Sequence, residues 1–330
     1  MRAVVCPRYG PPEVLQIREL AAPVPGRGEL LVRVMATTVT SGDSRIRGFR
    51  MPSPVFSLMG RLALGLRGPR RAVLGSELAG IVVALGPGVT LFAVGDAVVA
   101  FTDTAMGAHA ELVTLAESAA VVHKPEQLSY AQAAALPFGA TTARYFLQVL
   151  GNVQSGQRVL VVGASGAVGV AAVQLAVHFG ARVHAVCSGA NAELVRSLGA
   201  SRVFDYTRED FTASASRYDM VLDTVGATSL KHCRRVLAPD GRFLPVVMTM
   251  REVRQLMTTR LFRGPRVLSG MATGHKAELQ ELVNLAAAGT LRPVIGRTFS
   301  FDDIAAAHRY VDAGRKVGSA VVLVDQQGHR

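Results

Sequence analysis

Apolar residues follow two different rhythms along this chain. Through about residue 120 they come in short runs between glycine and proline: Ala3–Cys6, Leu30–Met35, Ala79–Leu85, Ala97–Phe101 and Ala110–Val113. Runs of this length, bounded by turn residues such as Gly86-Pro87-Gly88 and Gly95-Asp96, predict strands. Their spacing predicts a small barrel or sandwich. Residues 50–73, with Met51-Pro52-Ser53-Pro54 and Arg61, Arg67, Arg70 and Arg71, predict a loop or short helix, an insertion suited to a lid.

From about residue 125 the rhythm changes. Ser129 is the expected N-cap of a helix through Leu136, because its hydroxyl can accept a first-turn N–H. A second helix is expected over Thr141–Leu150. Strands and helices then alternate: strand Arg158–Gly163, helix 167–179, strand Arg182–Cys187, helix 191–198, strands Arg202–Asp205 and Met220–Asp223, helix 227–236, strand Arg242–Val247. That order predicts an α/β domain, a parallel sheet with helices on both faces. Met250, Val253, Met257 and Leu261 recur at helical spacing and predict an amphipathic surface helix. After Arg266–Ser269 come helix 276–288, a short β segment near 295–299, helix 302–313 and strand Ser319–Val324. The predicted division is a β-rich substrate domain at 1–122, a dinucleotide-binding domain at 123–265, and a segment 266–330. That last segment would complete the second sheet and then return to the first domain.

The segment Gly163-Ala164-Ser165-Gly166-Ala167-Val168-Gly169 sits between a predicted strand and a predicted helix. Its glycines suit a sharp turn, close approach of backbone to a pyrophosphate, and tight helix–strand packing. The first-turn N–H groups and the dipole of the helix favour phosphate there. In such domains an acid at the end of the second strand binds the ribose 2′-hydroxyl of NAD. Here that strand ends in Cys187-Ser188-Gly189, with no carboxylate. A 2′-phosphate would meet no like charge, and Ser188 could donate to it. NADPH is therefore expected, with NADH weaker. No Arg or Lys lies at 188–191, so a relaxed site taking both is the alternative.

Composition narrows the class. Of 330 residues, 49% are hydrophobic and 18% charged, which supports packed cores and excludes wholesale disorder. No apolar run reaches the roughly 18 uninterrupted residues of a membrane span. The N-terminus lacks the apolar region of a signal peptide, so a cytoplasmic protein with no membrane partner is expected. Cys6, Cys187 and Cys233 are scattered and form neither a disulfide framework nor a paired metal motif. The net charge of +12 would suit nucleic acid, but no basic tail or nucleic-acid motif accompanies it. A basic enzyme attracting anionic cofactors is preferred.

Several segments in order resemble the medium-chain dehydrogenase/reductase superfamily across essentially the whole chain. They are Leu74-Gly-Ser-Glu-Leu-Ala-Gly80, Gly86-Pro-Gly-Val89, Val94-Gly-Asp96, Ala133–Thr142, Gly163–Gly169, Leu198-Gly-Ala200, Asp205-Tyr206 and Asp223-Thr-Val-Gly226. The resemblance implies a GroES-like substrate domain plus a Rossmann domain, with the active site in the cleft between them. A catalytic zinc needs about three N/S/O ligands. The family's ligand positions fall in Val39–Ser44, at Ser76-Glu77 and in Leu136–Gly139, and none holds Cys or His. The chain is therefore similar to the zinc-independent, quinone oxidoreductase-like branch, which implies hydride transfer from NADPH to a quinone or to the C=C bond of an α,β-unsaturated carbonyl.

The same resemblance implies Thr40 and Thr141 near the nicotinamide, and Ala167 and Val168 at the pyrophosphate. It also implies Ser188 and Tyr206 by the adenosine phosphate, and Val225 and Gly226 near the nicotinamide ribose. Thr40 departs from the family's usual Asn. Thr40, Asp43 and Thr141 are the candidate catalytic residues. For Asp43, capping of the turn Ser41–Ser44 is preferred, for His109 a core or surface role, and for Cys187 a buried strand end. A homodimer through the strand near Val267 is implied. The alternatives are an NAD(P)-dependent alcohol or aldehyde oxidoreductase, and a non-catalytic NADPH-binding or nucleic-acid-binding member.

Overall fold

The computed structural model describes residues 1–50, 54–259 and 264–324. Met51-Pro52-Ser53 of the expected insertion, and Leu261 of the expected amphipathic helix, lie outside the described residues. The chain forms two compact units. One comprises Met1–Phe138, Thr273–Gly289 and Pro293–Arg330; the other comprises Gly139–Ala272 and Thr290–Arg292.

The first unit opens with an antiparallel pair, β1 (Arg2–Val5) and β2 (Gln16–Glu19). The next strand, β3 (Glu29–Val39), organises the unit. Its first part alternates buried Leu30, Val32 and Val34 with less buried neighbours, and from Val34 onward it is buried throughout. One edge pairs with β4 (Glu77–Leu85), which continues into β5 (Ala97–Phe101) and β7 (Val121–His123). The other edge is divided between β6 (Leu112–Ala116), opposite Glu29–Arg33, and a strand from the end of the chain. Ala110, expected to start β6, instead forms a lone bridge with Ala3.

Two helices lie between β3 and β4: α1 (Ser41–Gly48) and α2 (Pro54–Leu64). The expected turn Ser41–Ser44 is thus the first turn of a helix. Thr40 and Asp43 form a reciprocal capping box that lets it propagate. It stops at Phe49, whose φ of 48° is left-handed. Ser129 caps α3 (Tyr130–Ala134) as expected, together with Gln132. The next helix, α4 (Pro137–Arg144), leads into the second unit and widens into a π-helical turn over Tyr145–Leu150, where a plain helix was expected.

The second unit alternates as its sequence implies: β8 (Arg158–Val162), α5 (Ala167–His178), β9 (Arg182–Cys187), α6 (Ala192–Ser197), β10 (Arg202–Asp205), β11 (Tyr218–Asp223), α7 (Leu230–Cys233), β12 (Leu237–Pro245), α8 (Met250–Thr258) and β13 (Arg266–Val267). All six strands are parallel, in the order β10-β9-β8-β11-β12-β13. The chain therefore builds outward from β8 in one direction and then from β11 in the other. Their carboxyl ends form the switch point at which such sheets bind ligands.

The helix expected over 227–236 is a correction: only Leu230–Cys233 is helical, and β12 starts at Leu237 rather than Arg242. The buried Asp223 carboxylate accepts the N–H groups of Val225, Gly226, Ala227 and Thr228 at 2.8–3.2 Å. Those residues cannot enter a helix, which waits for the Ser229 cap. After α9 (Lys276–Ala287), β14 (Ile295–Ser300), α10 (Ile304–Asp312) and β15 (Ser319–Leu323) rejoin the first unit, where β15 pairs with Ala36–Val39 of β3.

Candidate functional site

In the second unit, β8 turns at Gly163, whose φ is 78°. That left-handed conformation suits glycine, and an added Cβ would lie 2.6 Å from the Thr224 hydroxyl. A Cβ on Gly169 would lie 2.2 Å from the Gly163 carbonyl, so the helix packs directly on the turn. At Gly166 the same Cβ would meet only that carbonyl, at 3.6 Å. Gly166 is the N-cap of α5, and no side chain caps the helix. The end carrying the Ala167 and Val168 N–H groups is therefore open to an anion, and a dinucleotide pyrophosphate fits it.

Beyond β9, the Asn191 amide donates to the Ser188 hydroxyl at 3.1 Å and to the Ser165 hydroxyl at 3.2 Å. It ties the glycine loop to the acid-free strand end. Sequence reasoning missed Asn191 because it sought a charge at 188–191, whereas the signal was a polar amide. An acid does approach from the neighbouring strand: a Cβ on Gly189 would lie 2.4 Å from an Asp205 carboxylate oxygen. The Thr207 N–H and hydroxyl bond Asp205 and hold its pKa below the usual value. Arg208 lies 3.7 Å from it. Tyr206 is exposed beside this group, and its N–H donates to the Cys187 carbonyl. Cys187 is buried, and burial pushes its thiol up to about 11, which leaves it inert. At the end of β11, Val225 is exposed and Gly226 is left-handed. Thr141 is buried on α4.

In the first unit, the Asp43 carboxylate accepts from the Thr40 N–H and hydroxyl at 2.8 and 2.6 Å, and from the Gly75 N–H at 3.1 Å. Both residues are thus engaged in holding α1 and the segment before β4. Glu77, at the start of β4, is almost fully buried. The Thr38 hydroxyl and the Phe138 N–H both donate to it, the latter at 2.6 Å. Burial dominates and pushes its pKa up to about 7. Burial likewise pushes Lys316 down to about 8, against the attraction of Glu77.

A second buried cluster adjoins Thr38. The His109 Nε2 donates to the Thr38 carbonyl at 2.9 Å, and its ring meets His308 edge-on at 5.8 Å. Arg47, with no exposed surface, donates to His308 Nδ1 and pairs with Asp312 at 2.5 Å. Burial, helped by His109 and Arg47, pushes His308 well below its ordinary pKa of 6.5. Sequence reasoning did not find this network, since its members come from β3, α1, α10 and the segment before β6. Among the described residues, no three His, Cys, Asp or Glu gather as a metal site requires.

Residues 26–126 match the alcohol dehydrogenase GroES-like domain, and residues 198–322 match the zinc-binding dehydrogenase family. The mouse mitochondrial NAD(P)H oxidoreductase RTN4IP1 is 30% identical over 98% of this chain and 89% of its own. A quinone oxidoreductase of Pseudomonas aeruginosa is 31% identical over 96% of this chain and 97% of its own. The solved CurK enoyl reductase superposes with a TM-score of 0.86 at 26% identity, covering 98% of this chain and 99% of that one. Glycine turn, switch point and GroES-like sheet together with these matches make the chain a quinone oxidoreductase-like member of the medium-chain dehydrogenase/reductase family of oxidoreductases.

Proposed function

We propose that the protein is an NADPH-dependent reductase of quinones or of the C=C bond of α,β-unsaturated carbonyls, working without a metal. The observation that carries this reading is the junction of Gly163–Gly169 with the end of β9. There an uncapped helix end adjoins three neutral polar groups, Ser165, Ser188 and Asn191, and no acid of β9. In this reading the Ala167 and Val168 N–H groups bind the pyrophosphate. Ser188, Asn191 and Tyr206 receive the 2′-phosphate, and Val225 and Gly226 approach the ribose. A bound reduced nicotinamide supplies a hydride. The chain's part is to orient donor and acceptor and to offer a hydroxyl or N–H to the oxygen that gains charge. Thr40 and Thr141 are the residues to substitute first for that role.

The absence of Cys and His from the family's metal positions supports metal-free chemistry. A homodimer belongs to the same reading, supported by β13 lying at the edge of its sheet, where a copy could pair. The test is oxidation of NADPH and NADH with quinones, enones and aldehydes, each with and without chelator. Turnover of a quinone or enone with NADPH, unchanged by chelator, is expected. Turnover of aldehydes alone, or activity lost on chelation and restored by zinc, would reject the proposal.

A further inference from the structure

The helix α2 turns its apolar side to water. Leu58, Met59 and Leu62 are 65%, 60% and 61% exposed, and Leu66, just beyond the helix, is 66% exposed. Phe56, Gly60 and Leu64 share the opposite, partly buried face. Large side chains exposed together in this way mark a surface that meets something else. The charge around them has one sign. From Ser44 to Ser76 the chain has seven arginines and no acidic residue. Arg47 and Arg50 are drawn off to Asp312, whereas Arg61, Arg67, Arg70 and Arg71 are exposed near the patch. Two of these are pinned to its own backbone: Arg61 donates to the Leu66 carbonyl, and Arg70 to that of Leu62 at 2.8 Å. The segment is anchored below, where the Tyr9 hydroxyl donates to the Gly65 carbonyl at 2.9 Å.

We propose that this face docks on an anionic phospholipid surface. Aliphatic side chains rimmed by guanidinium groups are what an interfacial helix needs: the first enter the acyl boundary and the second meet headgroup phosphates. At 11 residues α2 lies on a bilayer rather than spanning it, and no described helix is long and apolar enough to cross one. A two-fold contact with a second copy would set arginine rim against arginine rim. A nucleic acid would leave the four aliphatic side chains with nothing to stack on or read.

The test is co-sedimentation of the full chain with vesicles of phosphatidylcholine alone, and of phosphatidylcholine containing one-third phosphatidylglycerol. Binding to the anionic vesicles only, weakened by salt, is expected. The double substitution Leu58→Ser/Leu62→Ser should weaken it about tenfold, and Arg67→Glu/Arg71→Glu at least as much. Both should keep the parent's thermal melt, because the positions are exposed. No binding by the parent chain, or binding untouched by either variant, overturns the proposal. So does a dimer that dissociates in the leucine variant, which would assign the face to a second copy. Displacement of the vesicles by RNA with the leucines irrelevant would equally overturn it.

Discussion

Glu77 commits two donors, the buried Thr38 hydroxyl and the partly buried Phe138 N–H, to one carboxylate. Glu77→Ala should leave both unpaired and cost about 2–4 kcal/mol in urea unfolding. Glu77→Gln reads out the charge instead. Because burial lifts the folded-state pKa from 4.5 to about 7, the folded chain holds this proton to higher pH than the unfolded chain. Stability from this group is full below pH 4.5 and is lost as pH rises toward 7. The parent's stability relative to Glu77→Gln should therefore fall across that window, by at most about 1.4 kcal/mol per pH unit. A flat difference would mean that Glu77 stays ionised. Asn191 offers the complementary test on binding. If its amide stands where a cation would help a 2′-phosphate, Asn191→Lys should raise the NADPH-over-NADH affinity ratio about tenfold in a fluorescence titration.

Elements were legible from sequence where their cause is local or continuous. The strands β8, β9 and β11 are largely buried on both faces and read as apolar runs, broken inside only by His184 in β9 and Asp219 in β11. Gly163, Gly166 and Gly169 were legible because their spacing is itself the geometry of the turn. β2 was not, since all four of its residues are exposed and carry no burial pattern. Nor was the true start of α7. That depends on one carboxylate collecting four N–H groups, which no periodicity announces. The same fact predicts that Asp223→Ala releases residues 225–228. We expect a loss of about 2–4 kcal/mol in stability, and faster amide exchange confined first to that loop. Unchanged exchange at Val225–Thr228 would show that packing, not Asp223, shapes it. The buried Glu77 and His308 networks were illegible for a related reason: Glu77 meets partners 39 and 61 residues away, and Arg47 meets His308 across 261.

For the molecule as a whole, His308 sets an acid limit. Its folded-state pKa lies below 6.5, so the unfolded chain takes the proton first. Stability is lost as pH falls below about 6.5, by up to about 1.4 kcal/mol per unit. His308→Asn, which keeps an acceptor for Arg47, should remove this contribution from the acid limb of a denaturation series. Between pH 4.5 and 6.5 this slope opposes that of Glu77, so the parent should look less pH-sensitive than either single variant. The net charge of +12 bears on surfaces rather than on these buried groups. The sequence's argument against a membrane partner concerned spanning segments, and a surface helix escapes it.

The divided edge of β3 has a consequence in time. Its lower half finds β6 early, but Ala36–Val39 must wait for Ser319–Leu323, made almost last. On a ribosome, every strand of the six-stranded sheet, through Val267, is synthesised before that partner exists. Nascent chains should therefore complete the second unit while the first is still open along one edge, exposing Thr37 and Thr38 to solvent and to chaperones. The part of the protein that is translated first is the part that finishes folding last.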